Sequence, residues 1–435
     1  MKKSHINIGI MGLGTVGTGV VKVLTGNSST ITQRLGTILN IKKILDKNPD
    51  IIAKIHALNL DEDLLTTNID DIINDHEIDI VVEVMGGIHP AKEFIVRSLE
   101  KGKSVVTANK DLIASHGKEL FDVANNHQAD LFFEASVAGG IPIIQPLKES
   151  LAGNKIKQIM GIVNGTTNYI LTKMSAEGRD FEDVLKEAQL LGYAESDPSA
   201  DVGGYDAARK VAILSSIAFN TRITDASVYV EGINNISSLD IAYAKELGYV
   251  IKLLGITKEE NNEVEVRVHP AMIPADHPLS AVNDAFNAVF VEGDAIGKAM
   301  FYGKGAGELP TASAIVGDII LAARNIQFMS QGRLGCTCFE TKRIKPIGEV
   351  KSKFYLRIIA QDRPGVLASI AAVLGNQNVS IATVIQKETD ELGRAELVLI
   401  THLVKEQYLR DAISVIKGLS TVDSIENIIR VEEVN

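Results

Sequence analysis

The run INIGIMGLGTVGTGVVKVL, residues 6–24, decides the fold. Ile6, Ile8, Ile10 and Met11 form a short apolar run that ends in Gly12-Leu13-Gly14-Thr15-Val16-Gly17, and apolar residues continue at helical spacing to Leu24. Strand, glycine turn and helix, in that order, are the context in which a GxGxxG run binds a dinucleotide. Gly12 permits the tight turn, Gly14 lets the backbone approach a pyrophosphate, and Gly17 lets helix and strand pack closely. The free N–H groups at the helix start then face the phosphates. The glycine pattern alone is a weak signal; the order of elements around it gives it weight.

Outward from this turn the pattern repeats. Strands are expected at 39–45, 79–85, 104–108 and 130–135, with helical segments between them, notably 90–101 and 117–126. The alternation predicts an α/β, Rossmann-type, doubly wound parallel sheet, with ligands beyond the carboxyl ends of its strands. Three turns fall there: Gly86-Gly87, Thr107-Ala108-Asn109-Lys110, and the bend from Glu134 to Pro142. Lys110, just past a strand end, points into the crevice; the competing reading is a surface lysine leading a helix. The Glu134 bend sets one carboxylate before small residues whose carbonyls can turn inward as an oxygen-only site for a hard cation. An ordinary strand-to-helix turn is the commoner reading of such a bend.

Composition bounds the rest. A chain of 435 residues predicts two to four domains. At 45% hydrophobic and 23% charged it reads as an ordinary globular protein, and a formal charge of −11 argues against nucleic-acid or anionic-membrane partners. The two cysteines, Cys336 and Cys338, are too few for a disulfide framework and have no Cys or His cluster beside them to make a metal site. Reduced thiols in a cytosol are expected. No apolar run approaches a membrane span, and the first residues lead straight into the first strand without a signal peptide. A cytoplasmic location is expected.

Beyond Pro142 the character changes to an α+β substrate domain, with strands at 156–163, 228–232, 251–257 and 263–270 and a polar bend, Asn164-Gly165-Thr166-Thr167-Asn168-Tyr169. Its sheet could also supply a dimer interface. The stretch AQLLGYAESDPSADVGGYDAARK, residues 188–210, is the richest in chemistry. Asp180 caps a helix that Gly192 stops, a polar loop holding Glu195, Asp197 and Asp201 follows, and a buried helix begins near Gly204. Asp206 and Lys210 then stand one turn apart on one face. By itself such a pair is an ordinary helix-surface ion pair. Further on, Tyr302-Gly303-Lys304-Gly305-Ala306-Gly307 forms a second glycine-rich turn before an apolar helix at 311–326. A charged linker at 341–353 leads to strand 354–361, the turn Asp362-Arg363-Pro364-Gly365, helix 366–376, strands 381–388 and 395–401, helix 406–419 and a last strand at 424–431. This βαββαβ order predicts a ferredoxin-like unit.

The spaced pattern Ala188, Gly192-Tyr193-Ala194, Asp197-Pro198, Asp201-Val202, Gly204, Asp206, Lys210 resembles the signature of the homoserine dehydrogenases, and the tail resembles an ACT domain. Together the resemblance covers essentially the whole chain. It implies reversible hydride transfer between L-homoserine and L-aspartate 4-semialdehyde with NADP or NAD. It further implies Lys210 as proton-transfer group, Lys110 holding cofactor and substrate, and Glu195 and Asp206 on the ammonium and hydroxyl ends of homoserine. Cofactor contacts would come from Gly12, Leu13, Gly14, Thr15, Val16, Gly17, Gly86, Lys110, Gly192 and Gly305. Sodium would sit on the Glu134 side chain and the carbonyls of Val137, Gly139 and Ile141. L-Threonine is the implied effector, and a homodimer or homotetramer the implied assembly. The domains would be 1–135 for the nucleotide, completed by 305–340, then 136–304 for substrate and dimerisation, and 354–435 for regulation. Asp46-Lys47 departs from the Arg/Lys-then-Asp order of NADP-using members and leaves NAD against NADP open. Two alternatives are an ACT-bearing dehydrogenase of another substrate, such as a phosphoglycerate dehydrogenase, and a non-catalytic amino-acid sensor; the lysine signature speaks against both.

Overall fold

The computed structural model describes residues 3–386 and 392–432. The chain divides into two compact units, each assembled from three pieces of sequence. One comprises Met1–Lys157, Arg209–Ser227 and Asn287–Thr341; the other comprises Gln158–Ala208, Val228–Phe286 and Lys342–Asn435.

The first unit is built on a six-stranded parallel sheet. His5–Met11 lies centrally, with Ile38–Leu45 and then Leu65–Thr66 on one side, and Ile78–Glu83, Ser104–Thr107 and Leu131–Phe132 on the other. This is the doubly wound order, whose switch point lies beside the first strand. Fully buried strands read as continuous aliphatic runs, and Ile6, Ile8, Ile10, Ile80 and Val82 are all inaccessible to solvent. The two-residue strand Leu65–Thr66 is too short to show a sequence period, and the last strand is shorter than expected.

Helix Glu308–Phe328 returns to this sheet and puts Ala312, Ile315, Val316, Ile319, Ala322 and Ala323 into the same core as Val20 and Leu24. By length and composition it could cross a membrane, yet half of its apolar window is buried in the protein and it carries buried Asp318 and Asn325. Its contact with helix Thr15–Gly26 is close because Gly19 has no side chain: a Cβ there would lie 2.5 Å from the Glu308 carbonyl oxygen. Before it, strands Phe286–Gly293 and Gly297–Lys304 run side by side, a pair that the sequence reading did not separate.

The second unit holds a continuous sheet. Ile156–Ile162, Tyr249–Glu260 and Glu263–Pro274 are antiparallel neighbours. The sheet then passes into the tail through Val422–Val431, Lys351–Gln361, Arg394–Thr401 and Ile381–Gln386. The βαββαβ tail has its own apolar core, including Leu356, Ile358, Ile370, Leu374 and Leu399. The end of its expected strand 381–388 lies outside the described residues.

The tail is not the separate unit that the sequence reading expects. Ala271 and Met272 pair in parallel with Arg430 and Val431, so the two sheets are one. The expected linker is pinned too, because Arg343 and Ile344 pair with Glu263 and Val264. Buried charges close the seam. Asp240 accepts hydrogen bonds from Arg357 Nε at 2.7 Å and Asn427 Nδ2 at 2.7 Å, and Arg267 pairs with Glu432. Arg430 donates to Glu231 at 2.7 Å and to Glu406 at 2.9 Å. Burial by itself would raise the Glu231 carboxyl, but the Arg430 guanidinium outweighs it and holds the group at about 2.

Gly19→Ala forces the Glu308 backbone away and is expected to cost about 1–3 kcal/mol of stability. Gly26→Ala, on the same helix with nothing within 4 Å of the new methyl, should be neutral or stabilising by up to about 1 kcal/mol. Denaturant midpoints of the two variants check this pair of opposite signs.

Candidate active site

In the first unit the strand ends are level. Met11 pairs with both Leu45 and Glu83, and Glu83 pairs with Thr107, so the turns that follow emerge together. Gly12 has φ +101°, and a Cβ on Gly17 would sit 2.1 Å from the Gly12 carbonyl oxygen. A Cβ on Gly14 would meet nothing within 4 Å, so the turn has an open face there. Gly14 is also the N-cap of helix Thr15–Gly26 and makes no side-chain cap bond. The turn Gly12–Gly17 therefore has the shape and the N–H donors that a pyrophosphate requires.

Asp46 is tied to this turn. Its Oδ2 accepts the Leu13 N–H at 2.8 Å and its Oδ1 accepts the Asn48 N–H at 2.9 Å. Lys47 is exposed, while Lys54 Nζ reaches the Leu13 carbonyl at 3.3 Å.

Glu83 organises the next two turns. Its buried carboxylate accepts N–H bonds from Met85 at 2.9 Å and Gly86 at 3.2 Å, and the Thr107 hydroxyl at 2.6 Å. Asn109 donates to the Gly87 carbonyl at 2.6 Å and accepts the Leu112 N–H at 3.1 Å. That cap starts the helix at Lys110–Asn126, seven residues before the expected 117, so Lys110 is its first residue. An ion pair of 3.0 Å joins Asp111 to Arg209. It ties the first turn of this helix to helix Tyr205–Ala218 through the residues that follow Lys110 and precede Lys210.

The Glu134 bend packs on the second glycine turn. A Cβ on Gly139 would lie 2.2 Å from the Gly305 carbonyl oxygen, and the Gly140 N–H donates to the Lys304 carbonyl at 3.1 Å. Both carboxylate oxygens of Glu134 are engaged, by the N–H groups of Ile143 at 2.5 Å, Ile144 at 2.7 Å and Gln145 at 2.7 Å. Its own N–H donates to Asp318 at 2.8 Å. Burial pushes the Glu134 carboxyl up; complete burial, with Glu134 alongside, pushes Asp318 well above the usual carboxylate range.

In the second unit one side chain gathers the acids. Asn164 caps helix Gly165–Glu177, its Oδ1 accepting from the N–H and the hydroxyl of Thr167, both at 2.9 Å. Its Nδ2 donates to Asp201 Oδ1 at 2.7 Å and to Asp206 Oδ2 at 2.9 Å. Asp206 is buried, one turn before Lys210 on helix Tyr205–Ala218. Gly192, at φ +76°, ends helix Phe181–Leu190. Asp180 stands at the N-cap position but makes no cap bond; it accepts the Ser238 hydroxyl at 2.8 Å instead. The expected loop contains a short helix, Ser199–Val202, after Pro198. Glu195 lies exposed in that loop, and its backbone carbonyl accepts from Gln189 at 3.1 Å.

The sequence reading singled out neither Glu83 nor the bridging role of Asn164. The signals were an acid inside the aliphatic run IVVEV just before Gly86-Gly87, and an Asn that opens a helix.

A dinucleotide-binding parallel sheet, an acid-and-lysine helix and a ferredoxin-like tail define an NAD(P)-dependent oxidoreductase with an ACT module. Family models match the chain in the same order: the homoserine dehydrogenase NAD-binding domain over residues 12–134, homoserine dehydrogenase over 142–320 and the ACT domain over 354–420. A homoserine dehydrogenase of Neisseria gonorrhoeae is 43% identical over 99% of both chains. The solved homoserine dehydrogenase of Thiobacillus denitrificans covers 100% of both chains at 42% identity, with a TM-score of 0.94. A hyperthermophilic archaeal homoserine dehydrogenase, solved with NADPH, covers 73% of this chain and 97% of its own at 30% identity, with a TM-score of 0.62. The chain belongs to the homoserine dehydrogenases and has their NAD(P)-dependent activity, which interconverts L-homoserine and L-aspartate 4-semialdehyde.

If Asn164 serves only as a cap, Asn164→Asp should behave as wild type, because Asp caps equally well. The geometry predicts otherwise. The substitution replaces a donor shared by two carboxylates with a third carboxylate, so it should lose about 1–3 kcal/mol of stability, no less than Asn164→Ala. Thermal unfolding of both variants decides between the two roles.

Proposed function

We propose that Lys210 moves the proton in this reaction and that Lys110 holds cofactor and substrate in register. The observation that supports this is the Arg209–Asp111 ion pair, which joins the residues next to the two lysines in sequence. The bound nicotinamide supplies the hydride acceptor or donor. As homoserine is oxidised, its hydroxyl must lose a proton, and a lysine ammonium close by also stabilises the developing alkoxide. Asp206, one turn before Lys210, takes the hydroxyl end, and Glu195 takes the substrate ammonium. Two carboxylates drawn onto one amide beside Lys210 suit an amino-acid substrate, whose ammonium needs a carboxylate.

The turn Gly12–Gly17, with Gly86, Gly192 and Gly305, is proposed to hold the dinucleotide. Asp46, bonded to Leu13, would take the ribose hydroxyls of NAD, whereas Lys47 or Lys54 would meet the extra phosphate of NADP, and the preference stays open. The cation site is proposed at Val137, Gly139 and Ile141, with their carbonyls as ligands and Glu134 supplying charge. Because the Glu134 oxygens already accept three N–H groups, the ligation rests more on those carbonyls than on its side chain. The raised Glu134 and Asp318 carboxyls are the kind of surroundings that a buried sodium ion would relieve.

L-Threonine is proposed as the effector of the ACT module. Its binding would act through the buried contacts of Asp240, Glu231 and Glu432 rather than through a detachable domain. Cutting the tail away would strip Arg267 and Asp240 of charge partners, a loss of the kind that costs about 3–5 kcal/mol. Strand Gly297–Lys304, which exposes Met300 and Tyr302, is a reasonable face for self-association into a homodimer or homotetramer. A cytoplasmic setting is proposed as well.

Lys210→Ala should lower kcat by roughly 10²–10⁴-fold while NAD(P)H binding, followed by fluorescence, changes little. A kcat within a few-fold of wild type would remove the assignment. Replacing sodium and potassium by a large organic cation should depress activity, whereas a divalent-metal chelator should not. Full activity without small monovalent cations would count against the site.

A further inference from the structure

Cys336 and Cys338 are the only cysteines in the chain, and both are free and half-buried. The Cys338 N–H points at Cys336 Sγ at 3.4 Å, and the Cys338 thiol donates to the Ser216 carbonyl at 3.8 Å. They line a cavity of about 30 Å³, enough for a water-sized guest, with Lys148, Arg222 and Ser216. Lys148 Nζ lies 5.0 Å from the centre of the Phe121 ring and 5.7 Å from that of Phe133. Arg222 donates to the carbonyls of Ala114 at 2.9 Å and Ile113 at 3.2 Å.

Lys148 and Arg222 line the same cavity as the two sulfurs and favour a thiolate there, while burial lowers the Lys148 ammonium itself. Among the described residues there is also no group of three or more His, Cys, Asp or Glu to complete a metal site. The hydrogen bond from Cys338, helped by Lys148 and Arg222, holds the Cys336 thiol well below the ordinary thiol range, while Cys338 is held above it. One sulfur is thus prepared as nucleophile, and its neighbour keeps the proton.

We propose that Cys336 and Cys338 form a peroxide-sensitive dithiol whose closure to a disulfide lowers the activity of the enzyme. The Cys336 thiolate attacks a hydroperoxide: an S–O bond forms, the O–O bond breaks, and the leaving oxygen takes a proton. The sulfur of Cys338 then attacks the sulfenic acid; the S–S bond forms, the S–O bond breaks, and the Cys338 proton leaves with the hydroxide as water. The pair gives up two electrons and the peroxide is reduced. A two-residue spacing closes a small ring, and strained disulfides are the readily reduced, regulatory kind. Pairs that act as sensors in reducing compartments are transient in this way.

The site has a path to the chemistry. Closure removes the thiol donor from Ser216, on helix Tyr205–Ala218, and crowds Arg222, which grips the first turns of helix Lys110–Asn126. Those helices carry Lys210 and Lys110, so the effect on activity rests on the roles proposed above for these lysines. Both are held through packing within the same unit.

The full-length enzyme, wild type and Cys336→Ser and Cys338→Ser, is treated with hydrogen peroxide and then with dithiothreitol. Thiol titration, intact mass and homoserine oxidation are followed. Wild type should lose both thiols, become lighter by two hydrogens and lose activity, and dithiothreitol should restore all three. Both variants should start with wild-type activity, and neither should form the internal disulfide. Cys338→Ser should instead trap a sulfenic acid that dimedone labels. Retention of both thiols, or a disulfide that leaves activity unchanged, overturns the proposal. The thiol and mass readouts do not depend on the lysine roles, which stand or fall separately with Lys210→Ala.

Discussion

One buried side chain, Asn164, sets the terms for the substrate part of this enzyme. Its amide uses every hydrogen-bonding position: the oxygen caps one helix, and the nitrogen joins Asp201 and Asp206. Two carboxylates brought together, one of them buried, repel each other unless donors or cations lie between them. Asn164 supplies donors to both without adding charge. Thr166 and the stacked rings of Tyr169 and Tyr193 hold the neighbouring loop, the Thr166 hydroxyl donating to the Tyr193 carbonyl at 2.6 Å.

A second use of buried charge joins the ACT module to the sheet. Arg267, Arg357 and Arg430 are nearly inaccessible, and each has a carboxylate partner. Replacing such pairs by apolar residues can be neutral for stability, so their presence is weak evidence of a stabilising role. What they do specify is register: an arginine that must meet Glu231 and Glu406 together fixes where Val422–Val431 lies along Glu263–Pro274. A change in the tail thereby has a direct mechanical route to the strand beside Tyr229 and Glu231.

The legible parts of the sequence were those with a local cause. The glycine turn, the aliphatic strands, Gly192 as a helix stop and the helix Val366–Asn376 all follow from residues within a few positions of one another. What escaped depends on distant partners. Helix Lys110–Asn126 begins early because Asn109 caps it while also holding Gly87, which no single window reveals. Asp180 had the right type and place for a cap, yet a serine 58 positions away took its carboxylate. The continuity of the ACT sheet with the substrate sheet rests on two residue pairs, and no pattern in either strand announces it.

The central proposal is that Glu195 receives the ammonium of the substrate while Asp206, held by Asn164, and Lys210 meet its reacting hydroxyl. The most direct test is a crystal structure of the full chain with NAD(P)⁺ and L-homoserine, taken under conditions where turnover is blocked. The account predicts the substrate ammonium within hydrogen-bond distance of Glu195, and the hydroxyl within reach of Asp206 and Lys210. A substrate bound the other way round, with its carboxylate on the lysines and its hydroxyl distant from Lys210, would contradict it.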